Sequence, residues 1–328
     1  MLTGGAARRW ILKPSRHFLE HLEYKDQMIL SQLTRHWYAR RNFPFFSWVA
    51  CIARSSRVVL FYRFHQRLLS LEIYRNYVSV AHDDVFHHLS HRDYLIRGLS
   101  LRQRVQCVGA HYHFEEATFD QTYQRAVYSD GGLVIWASNL DGIAFSIRLE
   151  MAARLCAEGD LTICAYVDGL ALHRLSFSWT EGSFLGVDEP IVPFVVRNQG
   201  GRAELANAFK NFERGYPNNS PSYFCFAALQ GLTLALGITT VIAVRSNWQC
   251  SYTVADDRHF ANAYDGLWQT LGGTPIGEKT FRISLPFHVR PLSEMPAKHR
   301  KRARTRREHW DSITNSAYTT LRGHLRPR

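Results

Sequence analysis

Acidic residues are scarce at both ends of this 328-residue chain. Residues 1–67 hold 12 Lys/Arg against 3 Asp/Glu, and residues 298–328 hold 10 against 2. The formal net charge is +12, yet the stretch between those ends carries 18 basic against 23 acidic residues. The body is therefore slightly acidic and only its ends are basic. Basic ends suit anionic partners, either a phospholipid face or nucleic acid held without sequence specificity, or they are simply solvated helix surface. Cysteine is also sparse. The six cysteines form no C-x-x-C pair and no zinc spacing, and four of them sit in apolar runs as small hydrophobes. That usage suits a reducing compartment. The first 26 residues lack the apolar core of a signal peptide, so a cytoplasmic protein is expected. One uncharged stretch, residues 223–244, is long enough to cross a bilayer. Its first part is rich in Ala and Leu, Gly237 ends it, and residues 238–244 are β-branched, so it reads as a buried helix followed by a buried strand. There is no G-x-S-x-G, no Walker A loop and no Rossmann glycine fingerprint.

What is present is the composition of a folded globule, 46% hydrophobic and 13% aromatic. Residues 1–94 read as a helical region, with three-to-four apolar spacing over 15–33 and 58–75 and a break at Asn42-Phe43-Pro44. So aromatic and arginine-rich a pair would either lie on a membrane surface or pack on the main domain. Residues 95–290 read as an α/β domain. Short β-prone runs are expected at 103–113, 123–130, 133–138, 144–149, 161–167, 170–179 and 191–198, with Asp168-Gly169 as a two-residue hairpin turn. Helices over 202–214, 222–236 and 259–271 then alternate with strands at 239–244 and 280–285. The expected fold is α/β, a mixed α+β sheet flanked by helices, followed by a basic C-terminal helix and tail over 291–328.

Several constellations are candidates for chemistry. Asp83, His87 and His91 fall at i, i+4 and i+8, one face of a helix, but no fourth ligand is defined and no metal set is assigned. His111-Tyr112-His113-Phe114-Glu115-Glu116 alternates like a strand end, which would put both histidines on one face; His111 or Glu115 would serve as a general base, or as a structural pair. A strand over 192–198 runs into Gln199, Gly200, Gly201 and Arg202, a turn whose backbone N–H groups, with Arg197, would face a pyrophosphate. Residues 298–307 carry seven positive charges.

Taken in order, further motifs resemble the VirK/YbjX family of bacterial proteins. They are His111-Tyr112 after Arg104, Glu158-Gly159-Asp160-Leu161, Leu175-Ser176-Phe177-Ser178, Gln199-Gly200, Ile242-Ala243-Val244 with Ser246-Asn247, Tyr264-Asp265 with Trp268, Gly272-Gly273, Leu285-Pro286, and the arginine-rich run 300–307. The chain departs from the family at Trp248-Gln249-Cys250, where a His is frequent. The resemblance implies a Gram-negative-type origin and a role in virulence, envelope integrity or resistance to cationic host peptides, and it brings no catalytic residues. The later half also resembles GNAT-type acetyltransferases: strand, helix, strand, Asn247, then a helix with Tyr264, then Gly272-Gly273. That likeness implies acyl-CoA as cofactor at Arg197, Gln199, Gly200, Gly201, Arg202 and Asn247. It implies acyl transfer to an envelope-related substrate, with Tyr264 as general acid. The alternative is a non-catalytic adaptor, whose basic ends dock it on the inner face of an anionic membrane or on a protein partner.

Overall fold

The computed structural model describes residues 24–40, 44–79, 84–152, 157–201 and 203–327. Pro44, which has no N–H to continue a helix, separates α1 (Tyr24–Ala39) from α2 (Phe45–Ser55). A 3-10 stretch, Ser56–Phe61, leads on into α3 (Tyr62–Ser70). Along this run the buried residues, Ser55, Val58, His65 and Leu68, recur at helical spacing, so one stripe faces the body and the rest faces outward.

Two runs expected as strands are helices instead. α4 (Leu101–Thr118) starts at a capping box between Ser100 and Gln103, and α5 (Gln121–Tyr128) starts with the Asp120 carboxylate accepting the Tyr123 N–H. These N-terminal signals outweigh the local alternation of His111 and His113. On a helix the two histidines diverge: His111 is buried and His113 is exposed.

The sheet contains β1 (Leu133–Leu140), β2 (Ile143–Met151), β3 (Leu161–Val167), β4 (Leu170–Glu181), β5 (Ile191–Gly200), β6 (Thr240–Val244), β7 (Thr274–Ile276) and β8 (Thr280–Ser284). Their order is β1-β2-β3-β4-β5-β6-β8-β7. Asp168 and Gly169 both take positive φ in the β3–β4 turn, as expected of a tight hairpin, and Asp141-Gly142 repeats the device between β1 and β2. Every neighbouring pair is antiparallel except β5 and β6, which are parallel. Consecutive buried residues along β3 and β6 mean that both faces of the sheet centre are covered.

The connection from β5 to β6 carries α6 (Ala206–Gly215) and α7 (Pro221–Ala235). α7 takes the first part of the uncharged run, and Gly237, at positive φ, precedes β6, so the bilayer-length stretch is a core helix and a core strand. Residues 257–270 form a helical stretch with a π turn at Asn262–Gly266. The last helix, α8 (Ala297–Arg322), is not the free basic arm its charge suggests. Ile313, Ala317 and Leu321 are core residues, and the Thr314 hydroxyl donates to the Ala227 carbonyl at 3.0 Å.

Gly231 lets α7 and α8 touch. A Cβ there would lie 2.2 Å from the Thr314 carbonyl oxygen and 2.9 Å from the Ala317 Cβ. Overpacking of this kind costs about 1–3 kcal/mol, more than the roughly 1 kcal/mol that Ala gains over Gly in a helix. Gly231→Ala is expected to lower the urea midpoint of unfolding, and Gly231→Leu to lower it further. A raised midpoint for Gly231→Ala would contradict this packing.

Candidate functional site

The polar chemistry concentrates in two adjoining layers, joined by the turn that precedes β3. The first layer lies between α4, α5 and β4. Glu115 is fully buried on α4. Its Oε1 accepts from the Trp179 indole N–H at 2.7 Å and the Tyr123 hydroxyl at 3.3 Å, and its Oε2 accepts from the Tyr128 hydroxyl at 3.1 Å. Burial pushes this carboxyl up to about 8, against the pull of those three donors. His111, one turn earlier, accepts the Trp179 backbone N–H on Nδ1 at 3.2 Å, so its remaining proton sits on Nε2, 3.3 Å from Tyr128 Oη. Burial lowers the His111 pKa and favours the neutral ring. Both groups are thus enclosed and hydrogen-bonded. Their bonds to Trp179 tie α4 to β4.

Asp160 anchors the same layer. The Tyr112 hydroxyl donates to it at 3.0 Å and the Ser178 hydroxyl at 2.5 Å, and Tyr94 donates as well. Gly159 crosses the backbone of Phe177 so closely that a Cβ would lie 2.9 Å from its nitrogen, and its φ of +100 also requires glycine.

The second layer lies at the carboxyl ends of β5 and β6. The two strands pair only at Phe194↔Ile242 and Val195↔Ala243, beyond which no pairing continues. The place where a parallel pair separates is where open α/β sheets usually receive ligands. Here Arg197 Nε lies 3.4 Å from Glu158 Oε2 and donates to Gln199 Oε1 at 2.9 Å. The Ser251 hydroxyl donates to Glu158 Oε1 at 2.7 Å, as does the buried Gln249 amide. Across the gap the Asn198 N–H donates to Tyr264 Oη at 3.2 Å, and the Asn198 side-chain amide donates to the Ala263 carbonyl at 2.7 Å. The His173 Nε2–H completes the chain by donating to Asn198 Oδ1 at 2.8 Å; burial lowers this imidazole to about 4. Burial likewise raises the Tyr264 phenol and keeps it protonated.

The structure therefore brings Arg197, Gln199 and Tyr264 together, with Asn247 exposed at the rim beside Ser246, whose N–H donates to Asp265. It does not join them to His111 and Glu115, whose hydrogen bonds run to Trp179, Tyr123 and Tyr128. Gln199 and Gly200 belong to β5, and the Gly201 N–H donates to the Leu172 carbonyl at 2.6 Å, so this segment is a strand end and not the open phosphate turn expected. Arg202 lies outside the described residues, as does Asp83. Of the metal-like stripe, His87 lies on the single turn Val85–His88, and His91 lies beyond it, 3.3 Å from His88. Sequence reasoning missed Glu158, Asp160, Tyr94 and Gln249. The signal was present in Glu158-Gly159-Asp160-Leu161 and Ser176-Phe177-Ser178, which look like short, ordinary strings until the fold stacks them.

A mixed eight-stranded sheet with one parallel pair and helices packed on it defines the class as an α/β domain. The chain belongs to the family described as protein of unknown function (DUF535), whose model matches residues 21–318. It is similar to an uncharacterized protein YbjX of Escherichia coli (strain K12), 23% identical over 239 residues, which are 71% of this chain and 71% of that protein. No solved structure matches it.

The raised Glu115 pKa makes a pH prediction. A carboxyl that folds with its pKa at about 8, against 4.5 when free, contributes stability below the lower value and loses it as pH rises through the upper one. Stability should therefore fall between pH 5 and pH 8 by this term. Glu115→Gln should flatten that slope in denaturant titrations, while Glu115→Ala, which orphans three donors, should cost about 3 kcal/mol or more at every pH. An unchanged slope in Glu115→Gln would contradict the assignment.

Proposed function

We propose that the protein is a peripheral membrane protein that rests on anionic lipid through its N-terminal helices. The observation that carries this reading is the outer face of α1 to α3. Phe46 is 85% exposed, Leu60 81% and Phe45 67%, with Trp37, Val49 and Phe64 exposed beside them. No Asp or Glu occurs between residues 27 and 71, whereas seven arginines do. Among the described residues, 45–70 is the one helical stretch long and apolar enough to cross a bilayer, and only 11% of its most apolar 18-residue window is buried. Its inner stripe of Val58, His65 and Leu68 packs on the body, which holds the run flat and suits an interfacial position better than a span. Arg40 stacks 3.5 Å over Trp37, and Arg67 lies 5.8 Å from Phe64, so cations and rings alternate on the surface a headgroup layer would meet. Lys298, Lys301, Arg302 and Arg304 on α8 add exposed positive charge.

Sedimentation with vesicles tests it. Binding should be strong to phosphatidylglycerol-containing vesicles, weak to pure phosphatidylcholine, and should weaken with salt. The double variant Phe45→Ser/Phe46→Ser should bind at least tenfold less, since burying each ring contributes about 1.5–3 kcal/mol, while its melting temperature stays put. Equal binding by the double variant would remove this reading. Charge reversal, such as Lys301→Glu/Arg304→Glu, is the proper probe of α8, because deleting the helix would also delete core residues.

The separated β5–β6 pair favours a second reading, an acyl-CoA-type ligand in a GNAT-like acyl-transfer domain. The protonated Tyr264 phenol would then serve a departing thiolate, and Arg197 a phosphate. A Cβ on Gly200 would meet nothing nearer than His173 Nδ1 at 4.0 Å, so Gly200→Glu adds negative charge at the strand end without a clash. Acetyl-CoA or a longer acyl-CoA at 100 times its dissociation constant should stabilise the wild type by about 2.7 kcal/mol. Gly200→Glu and Arg197→Ala should abolish the shift. No shift with any acyl-CoA would leave the sheet as a scaffold.

A further inference from the structure

We propose that His65, Asp84 and His87 form a buried site for a divalent transition cation, with zinc the best fit. The three come from two places: His65 from α3, and Asp84 and His87 from the start and the body of the Val85–His88 turn. All are buried, and each offers an atom within 4.8 Å of the others. His65 Nε2 lies 2.8 Å from Asp84 Oδ2, and His87 Nδ1 lies 2.9 Å from Asp84 Oδ1. A tetrahedral cation with bonds of about 2.0–2.2 Å needs ligand atoms about 3.3–3.6 Å apart, so each imidazole must draw back from the carboxylate by under about 1 Å, while the two ring nitrogens already lie within 4.8 Å of each other. Two imidazoles and one carboxylate are a donor set that zinc and iron(II) both accept, and that magnesium and calcium do not favour.

The surroundings are those of a ligand sphere. Tyr24 Oη lies 2.7 Å from His65 Nδ1, which fixes the ring and leaves Nε2 directed at the carboxylate. The Tyr74 hydroxyl is fully buried beside Asp84 with no hydrogen bond of good geometry, and His87 Nε2 is a second buried atom without a partner. Orphaned polar atoms in a closed interior are costly, and a cation with a bound water would satisfy the phenol. The site is closed, so its role is structural: it ties α3, whose outer side carries Phe64 and Arg67, to the turn beneath it. The proposal stands apart from the membrane reading, because it concerns the inner stripe and not the exposed face.

The experiment uses the full chain, purified without chelator, with metal content measured and melting followed with zinc, with iron(II) and after chelation. The expected result is one equivalent of transition metal per chain and a melting temperature that falls on chelation and returns with zinc. Cobalt(II) substitution should give the visible bands of a low-coordinate site. His65→Gln and His87→Gln should lose the cation and the zinc response, while His88→Gln/His91→Gln keeps both. Should either ligand variant fold poorly, Asp84→Asn read by the cobalt spectrum serves instead. A chain without bound metal, whose melting is unmoved by zinc and iron(II), would overturn the proposal. Loss of metal in His88→Gln/His91→Gln alone would overturn it equally.

Discussion

The carboxylates of Asp84, Glu115 and Asp160 are taken out of water in this fold, and the packing of the helices on the sheet depends on how they are satisfied. None is served only by its own element. Glu115 on α4 is met by Tyr123 and Tyr128 from α5 and by Trp179 from β4. Asp160 draws Tyr94, Tyr112 and Ser178 from three further stretches, and Asp84 draws His65 from α3. Losing one donor leaves a buried acceptor short, at a cost of about 1–3 kcal/mol, more for a charge. The bonds therefore act as a set of cross-links in which phenol, indole and imidazole replace water.

One consequence concerns the helical region. Glu116 also accepts the Ile73 N–H at 3.0 Å, and the Tyr74 ring packs edge-on against Tyr112, so the segment after α3 is tied to α4. The inner stripe of α1 to α3 is thus fixed to the body, and the outer stripe of Phe45, Phe46 and Leu60 faces outward, uncovered by any of the described residues. α8 divides in a similar way along its length: its first turns carry lysine and arginine in solvent, and its later turns pack on α7 through Gly231. Among the described residues, the basic charge of 24–70 and of 298–322 thus sits on helices that are part of the core on one side.

Strands and later helices were readable in the sequence because their signals are local. Asp168-Gly169 specifies its own turn, Gly237 separates α7 from β6, and alternating or continuous apolar runs mark the strands. The error at 103–130 has an equally local cause. The β-branched and aromatic residues there suggested period two, while Ser100 with Gln103 and the lone Asp120 carried the opposite message in two or three positions. The site was less legible. His111 and Glu115 were found together, but a sequence cannot tell a base in a cleft from a satisfied pair under Trp179. Glu158 and Gln249, 91 positions apart, meet only through the fold. His65 was invisible beside the conspicuous histidines at 87–91, because its partner Asp84 lies 19 residues away around a turn.

The central claim is that the uncovered helical face, rather than the basic C-terminal helix, is what meets a membrane. Amide hydrogen exchange of the intact protein, with and without phosphatidylglycerol-containing vesicles, tests it directly. A membrane held by this face gives new protection confined to residues 44–64, with amides of β3 to β6 unchanged. Protection appearing only over residues 298–307, or none anywhere despite binding, would contradict it.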